Sequence, residues 1–229
     1  MCGGDEAGRG ALIGPLVVAL VSVKRSSEHK LADIGVRDSK LLSRTRREEL
    51  YDMIKRMADD VKVSKILPKE INETMKRKIS LNELEAVHFA RLFDKFTGQV
   101  STLYLDSPDV VAEKFGIRIN MFSKRPTRIV GVSPKGDKGV QYTKVVAEHK
   151  ADSKYPVVSA ASIIAKVERD WEMDKIIDQL GLPLGSGYPA DSFTISTVKK
   201  NINNSALKQH IRQYWQTMDT IKQTRLTSF

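Results

Sequence analysis

Residues 1–23 read MCGGDEAGRGALIGPLVVALVSV. Residues 1–6 form a short strand-like run and residues 16–23 a second one, rich in valine. Between them lies the turn Gly8-Arg9-Gly10, with Gly14 beyond it, and the carboxylate pair Asp5-Glu6 closes the first run. Acidic side chains bind a hard metal, while backbone amides and an arginine bind a phosphate or a sugar. Both within one short segment suggest a site where a metal works on a phosphate ester.

Outward from this segment, strand and helix signals alternate. Thr45-x-x-Glu48 reads as a capping box, followed by Leu50, Met53, Ile54 and Met57 at helical spacing. Residues 61–67 alternate like a strand. Ser80-x-x-Glu83 opens a helix carrying Leu84, Val87, Leu92 and Phe96. Residues 102–105 form a short buried-type strand with Asp106 at its end, and residues 143–148 another, with Asp152 just past it. Residues 156–180 read as a long helix, with Pro156 at its start and Gly181 as its stop. Residues 185–189 read as a turn, and the remainder as helical and basic. The alternation predicts an α/β domain with a mixed sheet flanked by helices over residues 1–180, and a C-terminal helical region packed on it over residues 181–229.

Composition narrows the class of function. The 229 residues suffice for a substantial core, and 38 Lys+Arg against 28 Asp+Glu leave a net charge of +10. That excess points to a polyanionic partner, most often nucleic acid, and reads otherwise as a basic solvated surface. The single cysteine, Cys2, excludes an intramolecular disulfide framework and fits a reducing compartment. The longest mainly apolar run, residues 11–23, is too short to span a bilayer and follows carboxylates rather than a basic segment. A cytoplasmic protein without membrane association is expected, and nothing indicates an oligomer, so a monomer is expected too.

Asp5, Glu6, Asp106 and Asp152 each fall at or just beyond the end of a strand-like run. Ligands gather at the carboxyl ends of strands in α/β sheets, so neighbouring strands that end together would converge these acids. Close carboxylates repel one another, and a divalent cation resolves the repulsion. Magnesium suits a few carboxylates plus a substrate phosphate, and two ions about 4 Å apart could serve a displacement at phosphorus. Each acid also has a structural reading: Asp106 before Ser107-Pro108 as a turn residue, Asp152 as a cap of the long helix, Glu6 as the partner of a lysine. A dinucleotide-binding reading of Gly8-x-Gly10 fails, because Asp5-Glu6 would repel a pyrophosphate and a strand rather than a helix follows. Close backbone approach is the better role for these glycines, within reach of a 2′-hydroxyl.

Asp5-Glu6-Ala7-Gly8-Arg9-Gly10 with Gly14-Pro15-Leu16-Val17-Val18 resembles the opening of ribonuclease HII. The likeness continues at Asp38-Ser39-Lys40, Leu105-Asp106 and His149-Lys150-Ala151-Asp152. It runs on through Val158-Ser159-Ala160-Ala161-Ser162-Ile163-Ile164-Ala165-Lys166-Val167-x-Arg169-Asp170, Gly185-Ser186-Gly187-Tyr188-Pro189 and His210-Ile211-Arg212-x-x-Trp215. These blocks reach over nearly the whole chain, and the compact form with a final Arg-x-x-Trp resembles archaeal members. The resemblance implies a ribonuclease H-like fold and cleavage of the RNA strand of RNA–DNA hybrids. It also implies incision 5′ of ribonucleotides embedded in duplex DNA, leaving a 3′-hydroxyl and a 5′-phosphate, with Mg2+ or Mn2+ as the metal. It makes Asp5, Glu6, Asp106 and Asp152 the catalytic, metal-binding acids, and Gly8, Arg9 and Gly10 the motif that reads the 2′-hydroxyl. Tyr188 matches the tyrosine that packs on the sugar of the next deoxynucleotide. Three positions depart from the family pattern: Gly4 where an apolar strand residue is usual, Ala11 where proline is common, and Leu41 in place of a second lysine. Gly4 bears on the stability of the first strand.

Lys40 and Lys150 are candidate phosphate contacts, or solvated surface lysines. Arg44, Arg46 and Arg47 at a helix start oppose the dipole and so favour a binding patch. His149, close to Asp152, reads as a structural hydrogen-bonding residue before an aid to a leaving group, His88 reads as structural, and Ser159 and Ser162 as either site-lining or helix-packing residues. A nucleic-acid-binding module without catalysis is a competing function, disfavoured by the presence of all four acids. Ribonuclease HIII is another, disfavoured by Arg9 between Gly8 and Gly10. No feature supports a sliding clamp as partner, and residues 223–229 read as a frayed tail.

Overall fold

The computed structural model describes residues 1–36, 42–130 and 141–226. Asp38-Ser39-Lys40, Leu41 and the last three residues of the chain lie outside the described residues. Along the chain come β1 (Cys2–Ala7), β2 (Leu16–Ser22), α1 (Glu28–Asp33), α2 (Arg44–Met57), β3 (Asp60–Ile66), α3 (Pro68–Lys76), α4 (Leu81–Asp94) and β4 (Thr102–Asp106). They are followed by α5 (Ala112–Phe122), β5 (Thr127–Ile129), β6 (Thr143–Glu148), α6 (Ala151–Lys154), α7 (Pro156–Leu180), α8 (Ser192–Lys200), α9 (Ser205–Lys208) and α10 (Gln216–Leu226). The strands make one mixed six-stranded sheet in the order β3-β2-β1-β4-β6-β5, flanked by helices. The β1–β4, β4–β6 and β6–β5 pairs are parallel.

The chain resolves into two compact units of interleaved segments. One comprises Met1–Ala7, Val18–Ser64 and Asn82–Val167; the other comprises Gly8–Val17, Lys65–Leu81 and Glu168–Phe229. β2, β3 and α7 each contribute residues to both units.

β2 is buried along its whole length, as its apolar sequence LVVALVS requires. The two glycines at the start of β1 are packing positions. A Cβ on Gly3 would lie 2.4 Å from the Val157 main chain, so the first turn of α7 crosses directly over the strand. A Cβ on Gly4 would lie 2.7 Å from Leu20, 2.8 Å from Leu105 and 3.0 Å from Phe89. Successive strand residues face opposite sides, so α7 covers one face at this point and α4 the other. The side chain that Gly4 lacks is replaced by three neighbours, which removes the weakness expected of a glycine there. Phe89 meets Phe115 edge to face at 5.8 Å, which extends the second layer from α4 to α5.

α7 has the limits its sequence predicts. Pro156 opens it, and Gly181, at φ +60°, ends it by donating its N–H to Ile177 at 2.9 Å. α2 is capped two residues earlier than Thr45-x-x-Glu48 suggests. Its N-cap is Ser43, whose hydroxyl accepts the Arg46 N–H at 3.2 Å, and Glu48 instead pairs with Arg44 at 3.1 Å. The second unit has its own core, in which Leu12, Ile13, Met173, Ile176, Leu184 and Ile211 pack together.

Candidate active site

Register places the first two acids. In the parallel β1–β4 pair Gly4 stands opposite Leu105, so the next step along both strands sets Asp5 beside Asp106. Asp5 is 5% exposed. Its Oδ1 accepts the Glu6 N–H at 2.8 Å, and it shares a hydrogen bond with the Ser162 hydroxyl. Lys166, one turn further along α7, donates its ammonium to Ser162 Oγ. Burial pushes the Asp5 carboxyl up to about 6, with the Asp106 charge adding to the rise, against the opposing pull of Lys166, Ser162 and the Glu6 N–H.

Asp106 is the last residue of β4, and its Oδ1 accepts the Ala151 N–H at 2.8 Å. That bond depends on a turn at the end of β6, where Lys150 adopts the left-handed conformation at φ 56°. Asp152 follows within α6, 8% exposed, its Oδ1 accepting the Ser153 hydroxyl at 3.3 Å. It does not cap α7, which begins later, at Pro156. The turn is braced behind Asp152: the Tyr155 hydroxyl donates to Glu148 at 3.1 Å, Lys154 pairs with Glu148, and the Tyr155 ring stacks on Tyr104 at 4.2 Å.

Among the described residues no group of three or more His, Cys, Asp or Glu side chains closes around a single point as a metal cage. The Asp5–Asp106 pair nevertheless fits a divalent ion. Its donors are hard oxygens, and its mutual repulsion is what a cation relieves. Magnesium is commonly held by one or two carboxylates, with water and substrate completing its shell.

The glycine turn belongs to the second unit and is held by main-chain bonds. Ala11 N–H donates to Gly8 at 3.1 Å, and Leu12 and Ile13 N–H both donate to the Gly187 carbonyl, at 2.8 and 3.1 Å. Gly14 N–H donates to His210 at 3.0 Å, Arg212 N–H donates to Leu12 at 2.9 Å, and Ile13 bridges Ile211. Gly8, at φ +87°, needs to be glycine on conformation and on space, since a Cβ would lie 2.5 Å from Arg169 Nε and 2.7 Å from the Pro15 carbonyl. Gly10 is exposed, and a Cβ there would meet nothing within 4 Å, so its main chain is open to approach.

Two buried arginines stabilise this turn. Arg212 is wholly buried; its Nε and Nη2 each donate to the Gly14 carbonyl at 3.1 Å, and its Nη1 donates to Arg9 at 2.9 Å. Its guanidinium lies 5.1 Å from the Trp215 ring, and burial draws its pKa down to about 9, with Arg169 and Arg9 adding to the fall. Arg169 donates to the Ser186 carbonyl at 2.9 Å and lies 4.4 Å from the centre of the Tyr188 ring. Asp191 fixes the Gly185–Tyr188 turn from the other side, its Oδ2 accepting from Ser186 N–H at 2.7 Å and Ser186 Oγ at 2.8 Å.

The carboxylates Asp5 and Asp106 are thus neighbours, with Glu6 next to the one and Asp152 on the turn bonded to the other. Gly8, Arg9, Gly10 and Tyr188 share one scaffold in the second unit. Lys150 is exposed, and Lys40 lies outside the described residues. His149 Nε2 donates to the Asp109 carbonyl at 2.7 Å, and His88 Nδ1 bonds Ser64 at 2.8 Å, both structural as their sequence context suggests. Ser162 lines the acids, whereas Ser159 bonds the Val36 carbonyl. Sequence reasoning assigned no role to Lys166, Arg169 or Arg212. The signal available for Lys166 is its spacing of four from Ser162 on one helix face.

The family model for Ribonuclease HII matches residues 2–218. A relative from Archaeoglobus fulgidus named Ribonuclease HII is 38% identical over 225 residues, 98% of this chain and 98% of that protein. The crystal structure of ribonuclease H2 from Pyrococcus horikoshii OT3 superposes with a TM-score of 0.83 at 37% identity, covering 100% of this chain and 99% of that one. The structure of a PCNA:RNase HII complex from Archaeoglobus fulgidus matches with a TM-score of 0.80 at 37% identity, over 100% and 99% of the two chains. The carboxylates at adjoining strand ends, the glycine-arginine-glycine turn and these likenesses agree: the chain belongs to the ribonuclease HII family and is a metal-dependent endonuclease that hydrolyses the RNA strand of RNA–DNA hybrids.

Proposed function

We propose that Asp5, Glu6, Asp106 and Asp152 are the catalytic acids and hold Mg2+ or Mn2+, and that Gly8, Arg9, Gly10 and Tyr188 recognise the ribonucleotide. The observation that carries this reading is the nearness of Asp5 and Asp106, each one step past Gly4 and Leu105, the last residues paired between β1 and β4, with the Asp106 charge acting on the Asp5 carboxyl. When bound, a divalent ion supplies Lewis acidity and neutralises charge at the phosphodiester. The chain supplies the rest. Asp5 and Asp106 present carboxylate oxygens in fixed orientations, since each already accepts a main-chain N–H on one oxygen. Lys166 by its charge and Ser162 by its hydrogen bond each oppose protonation of Asp5 and so favour its metal-binding form.

Recognition is separate in kind. The open main chain at Gly10 admits a sugar, and the turn offers hydrogen-bonding groups to a 2′-hydroxyl, the group that distinguishes RNA from DNA. The Tyr188 ring packs on the next deoxyribose. Lys40 and Lys150 contact phosphates, so binding weakens as salt rises. Coupling of sugar recognition to completion of the metal site makes specificity act on turnover as well as on binding.

The substrates on this reading are RNA–DNA hybrids and duplex DNA that contains ribonucleotides, incised on the 5′ side of the ribonucleotide. The chain acts as a monomer in the cytoplasm, a setting consistent with the buried free thiol of Cys2; among the described residues no helix is long and apolar enough to cross a membrane. The Archaeoglobus fulgidus relative solved with PCNA makes a sliding clamp the protein partner to test.

The deciding experiment is incubation with duplex DNA carrying one ribonucleotide, in magnesium, in manganese and in chelator. The expected result is a metal-dependent nick that leaves a 3′-hydroxyl and a 5′-phosphate at the ribonucleotide. Tight binding without a nick in either metal overturns the assignment of the four acids.

A further inference from the structure

Arg169 touches both elements assigned above to ribonucleotide recognition. It is 4% exposed. Its guanidinium covers one side of the Tyr188 ring at 4.4 Å, and its Nη2 donates to the carbonyl of Ser186, two residues before that tyrosine, at 2.9 Å. Its Nε and Cδ lie 2.5 and 2.6 Å from where a Cβ of Gly8 would be, so the stem of the arginine runs directly against the glycine turn. One side chain therefore spans from Gly8 to Tyr188.

Packing alone does not account for an arginine here. Burial works against its charge and draws its pKa down, with Tyr188 and Asp170 opposing the fall. Its Nε is buried with no hydrogen-bond partner among the described residues, which is unfavourable for a donor. A methionine would fill a similar space without either penalty. What methionine lacks is a planar cation able to stack on an aromatic face while donating to a carbonyl in its own plane. Arg212 makes a useful contrast, since its three donors all end on main-chain carbonyls and account for its presence.

We propose that Arg169 is a positioning residue for ribonucleotide recognition: it sets the spacing between the Gly8 turn and Tyr188, and by occupying one face of the tyrosine ring it directs the other to the sugar. The inference rests on the recognition roles assigned above to Gly8-Arg9-Gly10 and Tyr188. It implies that Arg169 governs discrimination between a single ribonucleotide and a long RNA tract more than the rate of hydrolysis itself. A long hybrid offers many registers in which a 2′-hydroxyl can engage, whereas a single ribonucleotide offers one.

The test compares kcat/KM on duplex DNA with one ribonucleotide against kcat/KM on a long RNA–DNA hybrid, for Arg169→Met, Arg169→Lys, Tyr188→Ala and the Arg169→Met/Tyr188→Ala double variant. Arg169→Met is expected to lower the ratio of the two about three- to tenfold, the scale of one desolvated cation–π contact. Arg169→Lys should recover little of it, since an ammonium cannot stack and donate in one plane. The double variant should show no larger fall than Tyr188→Ala alone, because the two residues act as a unit. If Tyr188→Ala leaves the ratio unchanged, the recognition reading fails and this inference with it. If Tyr188→Ala lowers the ratio while both Arg169 variants leave it unchanged, or lower both activities equally, Arg169 is structural and the inference alone is overturned. Thermal melts identify any variant that fails to fold, and the lysine variant carries the decision if the methionine variant does.

Discussion

Asp5 and Asp106 are placed by a sheet, whereas Gly8, Arg9 and Gly10 are placed by a handful of side chains and irregular main-chain bonds. Asp106 is the last residue of β4 and Asp5 follows the last residue of β1 paired with β4, so their nearness follows from a register shared by several residue pairs. No single neighbour fixes it. The glycine turn has no such ladder. Arg212 serves three of its carbonyl bonds, Gly187 accepts two of its N–H groups, and Arg169 lies against Gly8. Distributed support tolerates a change of charge without a change of position, so substitution of an acid should act on chemistry. Concentrated support does not, so substitution of an arginine or a constrained glycine should act on structure first.

The largest effect expected, and the sharpest break for this contrast, is that of Asp5→Asn. Cleavage should fall by on the order of a thousandfold or more, as removal of a metal-binding charge requires. Stability should move the other way. The Asp5 carboxyl lies at about 6 in the folded protein against an ordinary 3.8, so between these values the folded state binds more protons than the unfolded. Stability therefore falls as pH rises through that window, and the penalty is complete above pH 6. At pH 7.5 the amide variant should melt a few degrees above the parent in chelator, with the gap closing as the pH drops toward 4. Magnesium should raise the melting temperature of the parent and not of the variant. A variant that melts well below the parent would show that Asp5 holds structure as well as chemistry.

Arg212→Met should come next. It leaves the Gly14 and Arg9 carbonyls without their donors, at roughly 3 kcal/mol or more for a broken buried charged network. Urea denaturation should show the loss, and activity on every substrate should fall along with the order of the turn. A stability change below about 1 kcal/mol would mean that the main-chain bonds to Gly187 and His210 suffice to hold it.

The smallest effect separates two glycines two residues apart. Gly8→Ala meets a positive φ and the Arg169 stem, and should cost about 2 kcal/mol or more. Gly10→Ala meets neither and should leave stability within about 0.5 kcal/mol. Any activity lost in Gly10→Ala, measured where both proteins are folded, then reports on the approach of substrate to the main chain. Equal destabilisation by the two would erase the distinction drawn here.

Much of this is legible in the sequence. The valine-rich second strand, Asp106 at the end of β4 and both limits of α7 rest on signals within a few residues: apolar runs, a proline at the start, a glycine at the stop. α1, α3, α5 and β5 were not read from the sequence, being short or mixed in pattern, although Pro68 at the start of α3 was an available signal. α2 was displaced at its cap because Ser43 and Thr45 are both good cap residues, and only the main-chain path chooses between them.

By itself the sequence determined the order of the chemical groups, the family they spell and the elements that carry them, because each of these is encoded locally or as a pattern along the chain. Tertiary structure alone decided that Asp5 meets Asp106, that Arg212 is buried under Gly14, 198 residues away, and that Arg169 joins Gly8 to Tyr188. Those outcomes come from strand register and from the burial of charged groups. Neither leaves a periodic trace, since an arginine in a sequence looks the same whether water or two carbonyls will satisfy it.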